Sequence, residues 1–170
     1  MTLEFVTQIG EGFAGSGADA AHINSVLGAL GGPVENAWAG ALASPSAGHT
    51  PFMVVAQPGI AVKPLTLFVN KASIANERHG ELTWGAAQAG VARGVIDALD
   101  AATIDVALAN ELLLITAVWV NPAASDEEAV FANNRSATLA ALRSGTNGEP
   151  TIDRVRAIGD AVRNPYFRTR

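Results

Sequence analysis

The sequence has 170 residues and no cysteine, which removes disulfides, thiolate metal sites and thiol catalysis together. Histidine is almost as scarce: the three are His22, His49 and His79. Their positions do not share a metal-ligand spacing, so no metal site is expected. Charged residues make up 16% of the chain and sum to −5, with lysines and arginines scattered apart from a loose arginine cluster near the C-terminus. A nucleic-acid surface needs a basic face, and that class is disfavoured. The single tyrosine, three tryptophans and six phenylalanines are spread along the chain and form no interleaved basic-aromatic patch. Met1 to Phe5 lacks a basic segment leading into an apolar run, and nothing approaches a membrane span. A cytoplasmic enzyme or binding protein is the expectation. No internal repeat or low-complexity linker appears, so residues 1–170 are expected to form one domain.

What the chain does have is alanine, glycine and a 49% hydrophobic content. A domain of this length buries roughly 70% of its unfolded-chain surface, and so few charges leave room for subunit contact. The stretch Gly10-Glu-Gly-Phe-Ala-Gly-Ser-Gly17 matches G-x-G-x-x-G letter for letter at Gly10, Gly12 and Gly15. A dinucleotide site would need a helix to begin at the third glycine. Ser16 and Gly17 follow instead, and the next regular segment reads as a strand, which favours a glycine-rich turn.

Alternation sets the elements. Residues 3–9 predict a strand ending at Gly10. In a strand from Ala21 to Leu27, His22, Asn24 and Val26 share one face and Ala21, Ile23, Ser25 and Leu27 the other. Pro33 suits the first position of a helix whose face carries Val34, Ala37, Trp38, Ala41 and Leu42. Strands are expected over 52–56, 65–74 and 111–120, and a polar loop over 76–80. A helix from Trp84 to about Leu99 turns Ala87, Val91, Val95 and Ala98 to the core. Ser125 with Glu128 forms a capping box for a helix to about Arg143, a turn follows at 145–148, and Thr151 caps a last helix to about Arg163. The mixture lacks the regular alternation of a doubly wound sheet and predicts an α+β fold, a mixed sheet with helices packed on one side.

Three side chains stand out. His22 shares its strand face with Asn24 and follows the glycine-rich loop; a satisfied structural histidine is the competing explanation. Lys71 lies on the face of Leu67, Val69 and Ser73, which turns from apolar to polar as a pocket wall would. A lysine snorkelling from a strand end fits equally. Gln88 lies beside the core-facing side of its helix, and a buried amide needs partners, which a ligand could supply.

Four segments then coincide: Ile9-Gly-Glu-Gly-Phe-Ala-Gly-Ser-Gly17 with His22-Ile-Asn24, Ala47-Gly-His-Thr-Pro-Phe52, Val62-Lys-Pro with Leu67-Phe-Val-Asn-Lys-Ala72, and Trp84-Gly-Ala-Ala-Gln-Ala-Gly-Val-Ala92. In order and spacing this set resembles the formaldehyde-activating enzyme family, from Ile9 to about Leu142. The resemblance implies a ribosomal-protein-S5-domain-2-like fold and a homopentamer with sites between subunits. It implies condensation of formaldehyde with tetrahydromethanopterin, as co-substrate, to 5,10-methylenetetrahydromethanopterin and water, with no permanently bound cofactor. By position, the catalytic histidine falls on His22 and the pterin- and substrate-contacting positions on Asn24, Met53, Lys71, Ser73 and Gln88. Where better-known members carry aspartate, leucine and threonine, this chain has Asn24, Met53 and Ser73. Met for Leu is near-isosteric, Ser for Thr keeps the hydroxyl, and Asn for Asp removes a charge beside the expected acid. Rival expectations are a non-catalytic paralogue binding or sensing formaldehyde or a pterin, the same chemistry on a folate or another amine, and a nucleotide-dependent oxidoreductase resting on the glycines alone.

Overall fold

The computed structural model describes residues 5–164. A five-stranded sheet runs β1-β2-β7-β6-β3, with β1 Gln8–Ala14, β2 Ala21–Ala29, β3 Pro51–Met53, β6 Leu65–Asn70 and β7 Leu112–Trp119. Between β3 and β6 lies a two-stranded ribbon of β4 Val55–Gln57 and β5 Ile60–Ala61. All pairings are antiparallel except β6 with β7. That parallel pair needs a crossover, supplied by α2 Glu77–Glu81, a π-helical turn Leu82–Ala87 and α3 Gln88–Asp100. The remaining helices are α1 Pro33–Ala43, α4 Glu127–Asn147 and α5 Ile152–Ala157. The class is α+β, as expected.

Strand alternation divides the side chains between two layers. Ile23 and Leu27 of β2, Leu114 and Val118 of β7 and Phe68 of β6 join Val91, Val95 and Ala98 of α3 and Val130, Ala137 and Ala141 of α4 in the main core. Each large aliphatic or aromatic side chain so buried contributes about 1.5–3 kcal/mol. The helices do not all lie on that side. Val34 and Trp38 of α1 pack with Leu67 and Leu113, flanked by Val26 and Ile115, on the opposite face, which corrects the one-sided arrangement. Central β7 is therefore covered on both faces, and its sequence Leu112-Leu-Leu-Ile115 is an unbroken apolar run.

The glycine-rich segment is where the sequence misleads most. The first strand spans Gln8–Ala14 rather than 3–9, and positions 3 and 4 of that expected strand lie outside the described residues. It runs straight through Gly10 and Gly12 because α4 lies directly on it. A Cβ at Gly10 would come 1.8 Å from the Ala141 carbonyl oxygen, and one at Gly12 2.1 Å from that of Ala137. These glycines admit a helix backbone, and no helix starts at Gly15, where the chain turns with φ +82° toward a 3₁₀ turn, Gly17–Asp19.

Other boundaries move for local reasons. The strand expected over 65–74 stops at Asn70, and that over 52–56 divides into β3 and β4. The polar 76–80 segment is helical, because the Asn76 side chain accepts the His79 N–H and caps α2. Helix α4 is capped by Asp126, whose side chain accepts the Ala129 N–H, instead of by Ser125; the Ser125 N–H donates to Asp19 at 2.8 Å. The turn expected at 145–148 is the last turn of α4, closed by Gly148 in the left-handed conformation. Thr151 does cap α5, but that helix ends at Ala157, short of Arg163. No helix among the described residues is long and apolar enough to cross a membrane.

Candidate functional site

Helix α1 covers only one end of its sheet face, where Val26, Leu67 and Leu113 lie. The other end stays open, and His22 stands there. Pairing puts His22 beside Trp119 of β7 and Phe13 of β1, and Asn24 beside Ala117 and Glu11. Asn24 is exposed and His22 half-buried, with its partner Ile23 fully buried on the core side. The two-residue period read from the sequence therefore separates these faces correctly.

Two neighbours of His22 come from β1. The Glu11 carboxylate lies 3.1 Å from His22 Nε2, and the Phe13 ring centroid lies 6.3 Å from the imidazole, inclined by 56°, within the range of aromatic contact. The Glu11 and His22 side chains are 58% and 44% exposed, so solvent screens the pair and it adds little to stability. Its consequence is chemical: a carboxylate holds one ring nitrogen. Neither neighbour was singled out from sequence, because both depend on the β1–β2 register. The signal was the alternation of Glu11 and Phe13 between glycines, a strand pattern hidden in a turn-like composition.

Lys71 lies at the same open end. Its N–H donates to the Val118 carbonyl at 2.9 Å, so it continues β6 by one position beside β7. Its exposed side chain and His22 flank Trp119 across two strand spacings, roughly 10 Å. Met53 belongs to the same face, at the far edge: it pairs with Leu67 and is 37% exposed. Ser73 is exposed in the segment after β6 and lies against Gly48.

Gln88 is not with them. It opens α3, which packs on the core side of the sheet, and its amide oxygen accepts the Val55 N–H at 2.7 Å. The partner that this half-buried amide needs is thus a backbone group of β4. One copy of the chain gathers His22, Asn24 and Lys71 at one end of an open face, holds Met53 and Ser73 at its margins, and keeps Gln88 behind the sheet.

The other histidines have structural partners. His49 Nδ1 lies 3.0 Å from the Asn70 carbonyl, and His79 is fully buried, away from His22.

Comparison with known proteins decides what this arrangement belongs to. The family model "Formaldehyde-activating enzyme (Fae)" matches residues 9–167.

The chain belongs to the formaldehyde-activating enzyme family.

A 5,6,7,8-tetrahydromethanopterin hydro-lyase of Methanosarcina barkeri is 37% identical over 160 residues, covering 94% of this chain and 90% of the relative. A bifunctional enzyme Fae/Hps of Methanothrix thermoacetophila is 37% identical over 147 residues, 86% of this chain. Another bifunctional enzyme Fae/Hps, from Archaeoglobus fulgidus, is 33% identical over 159 residues, 94% of this chain. The alignments span only 38% and 40% of those two longer proteins. The glycines of β1 serve the close approach of α4.

Proposed function

We propose that this chain is a hydro-lyase that condenses formaldehyde with tetrahydromethanopterin to 5,10-methylenetetrahydromethanopterin and water, with His22 as the general acid. The relative that carries this reading is the tetrahydromethanopterin hydro-lyase, aligned over nine-tenths of both chains. The observation that carries the role of His22 is its place: an imidazole on the uncovered end of a sheet face, with Glu11 on Nε2.

The chemistry asks for an acid. A ring amine of the pterin adds to formaldehyde and gives a carbinolamine. Its hydroxyl leaves as water only when protonated, and the second amine then closes the five-membered ring on the iminium carbon and gives up its proton, which restores the acid. An imidazolium has two N–H donors. Glu11 takes the one at Nε2, which leaves Nδ1–H to reach the departing hydroxyl. General acid catalysis of this kind contributes roughly 10²–10⁴-fold, and holding both amines at the one-carbon unit adds proximity. The Asn24 amide hydrogen-bonds the hydroxymethyl oxygen. Lys71 and Ser73 orient the pterin, and Met53 gives it an apolar contact. No resident cofactor enters these steps.

Gln88 lies behind the sheet of its own copy, so we assign it to the site of a neighbouring copy in a homopentamer. Phe13, 45% exposed and next to His22, and Ile9, 69% exposed further back along β1, support such a contact along this edge strand. The whole chain acts as one domain in the cytoplasm.

The test presents formaldehyde with tetrahydromethanopterin or tetrahydrofolate and follows methylene-product formation against the protein-free rate. Acceleration confined to tetrahydromethanopterin is expected. Acceleration with the folate alone would reassign the co-substrate, and pterin binding without acceleration would make the chain a binding protein.

A further inference from the structure

Residues 71–75 carry two side chains of the proposed site, Lys71 and Ser73, yet belong to no strand or helix. Buried polar groups fix their backbone. Asn70, 1% exposed, accepts the Ala72 N–H at 3.1 Å and donates its amide to the Ala72 carbonyl. His79, 0% exposed, accepts the Ala75 N–H on Nδ1 at 3.1 Å, and its Nε2 lies 3.0 Å from the Val120 carbonyl. Since Nδ1 accepts, the ring proton sits on Nε2 and donates to Val120. The His79 ring is itself held by its backbone: the N–H donates to Asn76 Oδ1 at 2.8 Å, and the carbonyl accepts the Thr83 hydroxyl at 2.7 Å.

These bonds share a geometry. The segment begins on β7, through Lys71 N–H to the Val118 carbonyl, and ends against Val120, the residue that follows that strand, through His79. From outside, Gly48 (φ +76°) lies so close that a Cβ there would come 2.4 Å from the Ser73 hydroxyl. Burying a polar side chain is unfavourable unless its hydrogen bonds are made. Here two such side chains are spent on the backbone of a segment whose Lys71 and Ser73 point to solvent.

We propose that His79 and Asn70 are positioning residues, which fix residues 71–75 so that Lys71 and Ser73 meet the pterin in a set geometry. The proposal rests on the pterin-orienting role given to Lys71 and Ser73 above. The clamp touches no reacting atom, so its loss weakens pterin binding and leaves the acid step intact.

The experiment is steady-state kinetics with tetrahydromethanopterin on His79→Leu, His79→Gln and Lys71→Ala/Ser73→Ala, with near-ultraviolet dichroism as the check of folding. His79→Leu, which leaves the Ala75 N–H and Val120 carbonyl unpaired, is expected to raise KM for the pterin by about tenfold, with kcat nearly unchanged. His79→Gln, which keeps an acceptor and a donor, recovers part of the loss. In the Lys71→Ala/Ser73→Ala background, His79→Leu has no further effect on KM. A folded His79→Leu with wild-type KM, or an effect that simply adds to that of the double variant, overturns the proposal. If His79→Leu does not fold, Asn70→Asp takes its place: it keeps the acceptor for the Ala72 N–H and loses the donor to the Ala72 carbonyl, and a wild-type KM there overturns the proposal equally. If Lys71→Ala/Ser73→Ala itself leaves KM unchanged, the pterin-orienting role has failed, and the function of the clamp falls with it.

Discussion

His22 and Glu11 define the account at the scale of single residues. His22→Ala removes a half-exposed ring from an open surface, so the protein is expected to remain folded while the rate falls by roughly 10²–10⁴-fold. Glu11→Gln keeps the shape and a hydrogen-bonding oxygen but removes the charge beside the ring. It is expected to lower kcat more than it changes KM, and an unchanged kcat would remove Glu11 from the mechanism. His22 and Asn24 were legible in the sequence because a two-residue period alone puts them on one face. Glu11 was not, because its contact with His22 is set by pairing across a hairpin. Asn24, read as the loss of a charge beside the acid, looks different once Glu11 is seen: a carboxylate reaches the ring from the adjacent strand instead.

Among the elements, α4 makes the closest contacts, with its backbone against β1 and its side chains against α3 in the main core. Gly12→Ala would push a methyl group into the backbone of α4 at Ala137. Overpacking of this kind costs about 1–3 kcal/mol, to be measured as a lower urea midpoint; a midpoint equal to wild type would contradict the close approach. Helix α3 is tied to α4 by Asp97, whose carboxylate is bonded by Arg135 and lies 2.9 Å from Arg93. The Arg135 hydrogen bond, aided by the charges of both arginines and opposed by burial, holds the Asp97 carboxyl below its ordinary value of 3.8. A lowered value means that the folded state prefers the carboxylate, so the stabilisation is present above 3.8 and fades as pH falls through the folded value. The Tm difference between wild type and Asp97→Asn is therefore expected to be full at neutral pH and to shrink below pH 3.8. A difference independent of pH would show that the pair contributes nothing through charge. These tertiary facts explain the failures of the sequence reading. Glycines at 10 and 12 look like a turn until α4, which starts only at Glu127, is laid on them, and α2 is only five residues long, too short for periodicity to reveal it. The apolar β7, by contrast, was legible to within one residue at each end, and α3 at its C-terminal end; its start was not, because Trp84 lies within the π-helical turn that precedes it.

For the whole molecule, assembly and catalysis are one question. The proposed residues are not all gathered in one copy, because Gln88 spends its amide oxygen on Val55 behind the sheet. Phe13 is exposed beside His22, and Ile9 is exposed four residues back along β1, so the proposed pentamer has apolar side chains on this strand to cover. Light scattering is expected to give five times the mass of the chain. Phe13→Asp is expected to lower that mass and the activity together; full activity in a monomeric variant would refute a shared site. The sequence could not supply this arrangement from its own periodicities, since burial within one chain leaves the same apolar pattern as burial between copies. The resemblance supplied it as an expectation. The claim on which everything else depends is that His22 is the acid that expels water from the carbinolamine. The measurement that tests it most directly is the rate of methylenetetrahydromethanopterin formation from formaldehyde and tetrahydromethanopterin, for wild type, His22→Ala and the protein-free solution side by side. The account predicts a large acceleration by wild type that falls nearly to the spontaneous rate in folded His22→Ala. Full acceleration by the folded variant would contradict it.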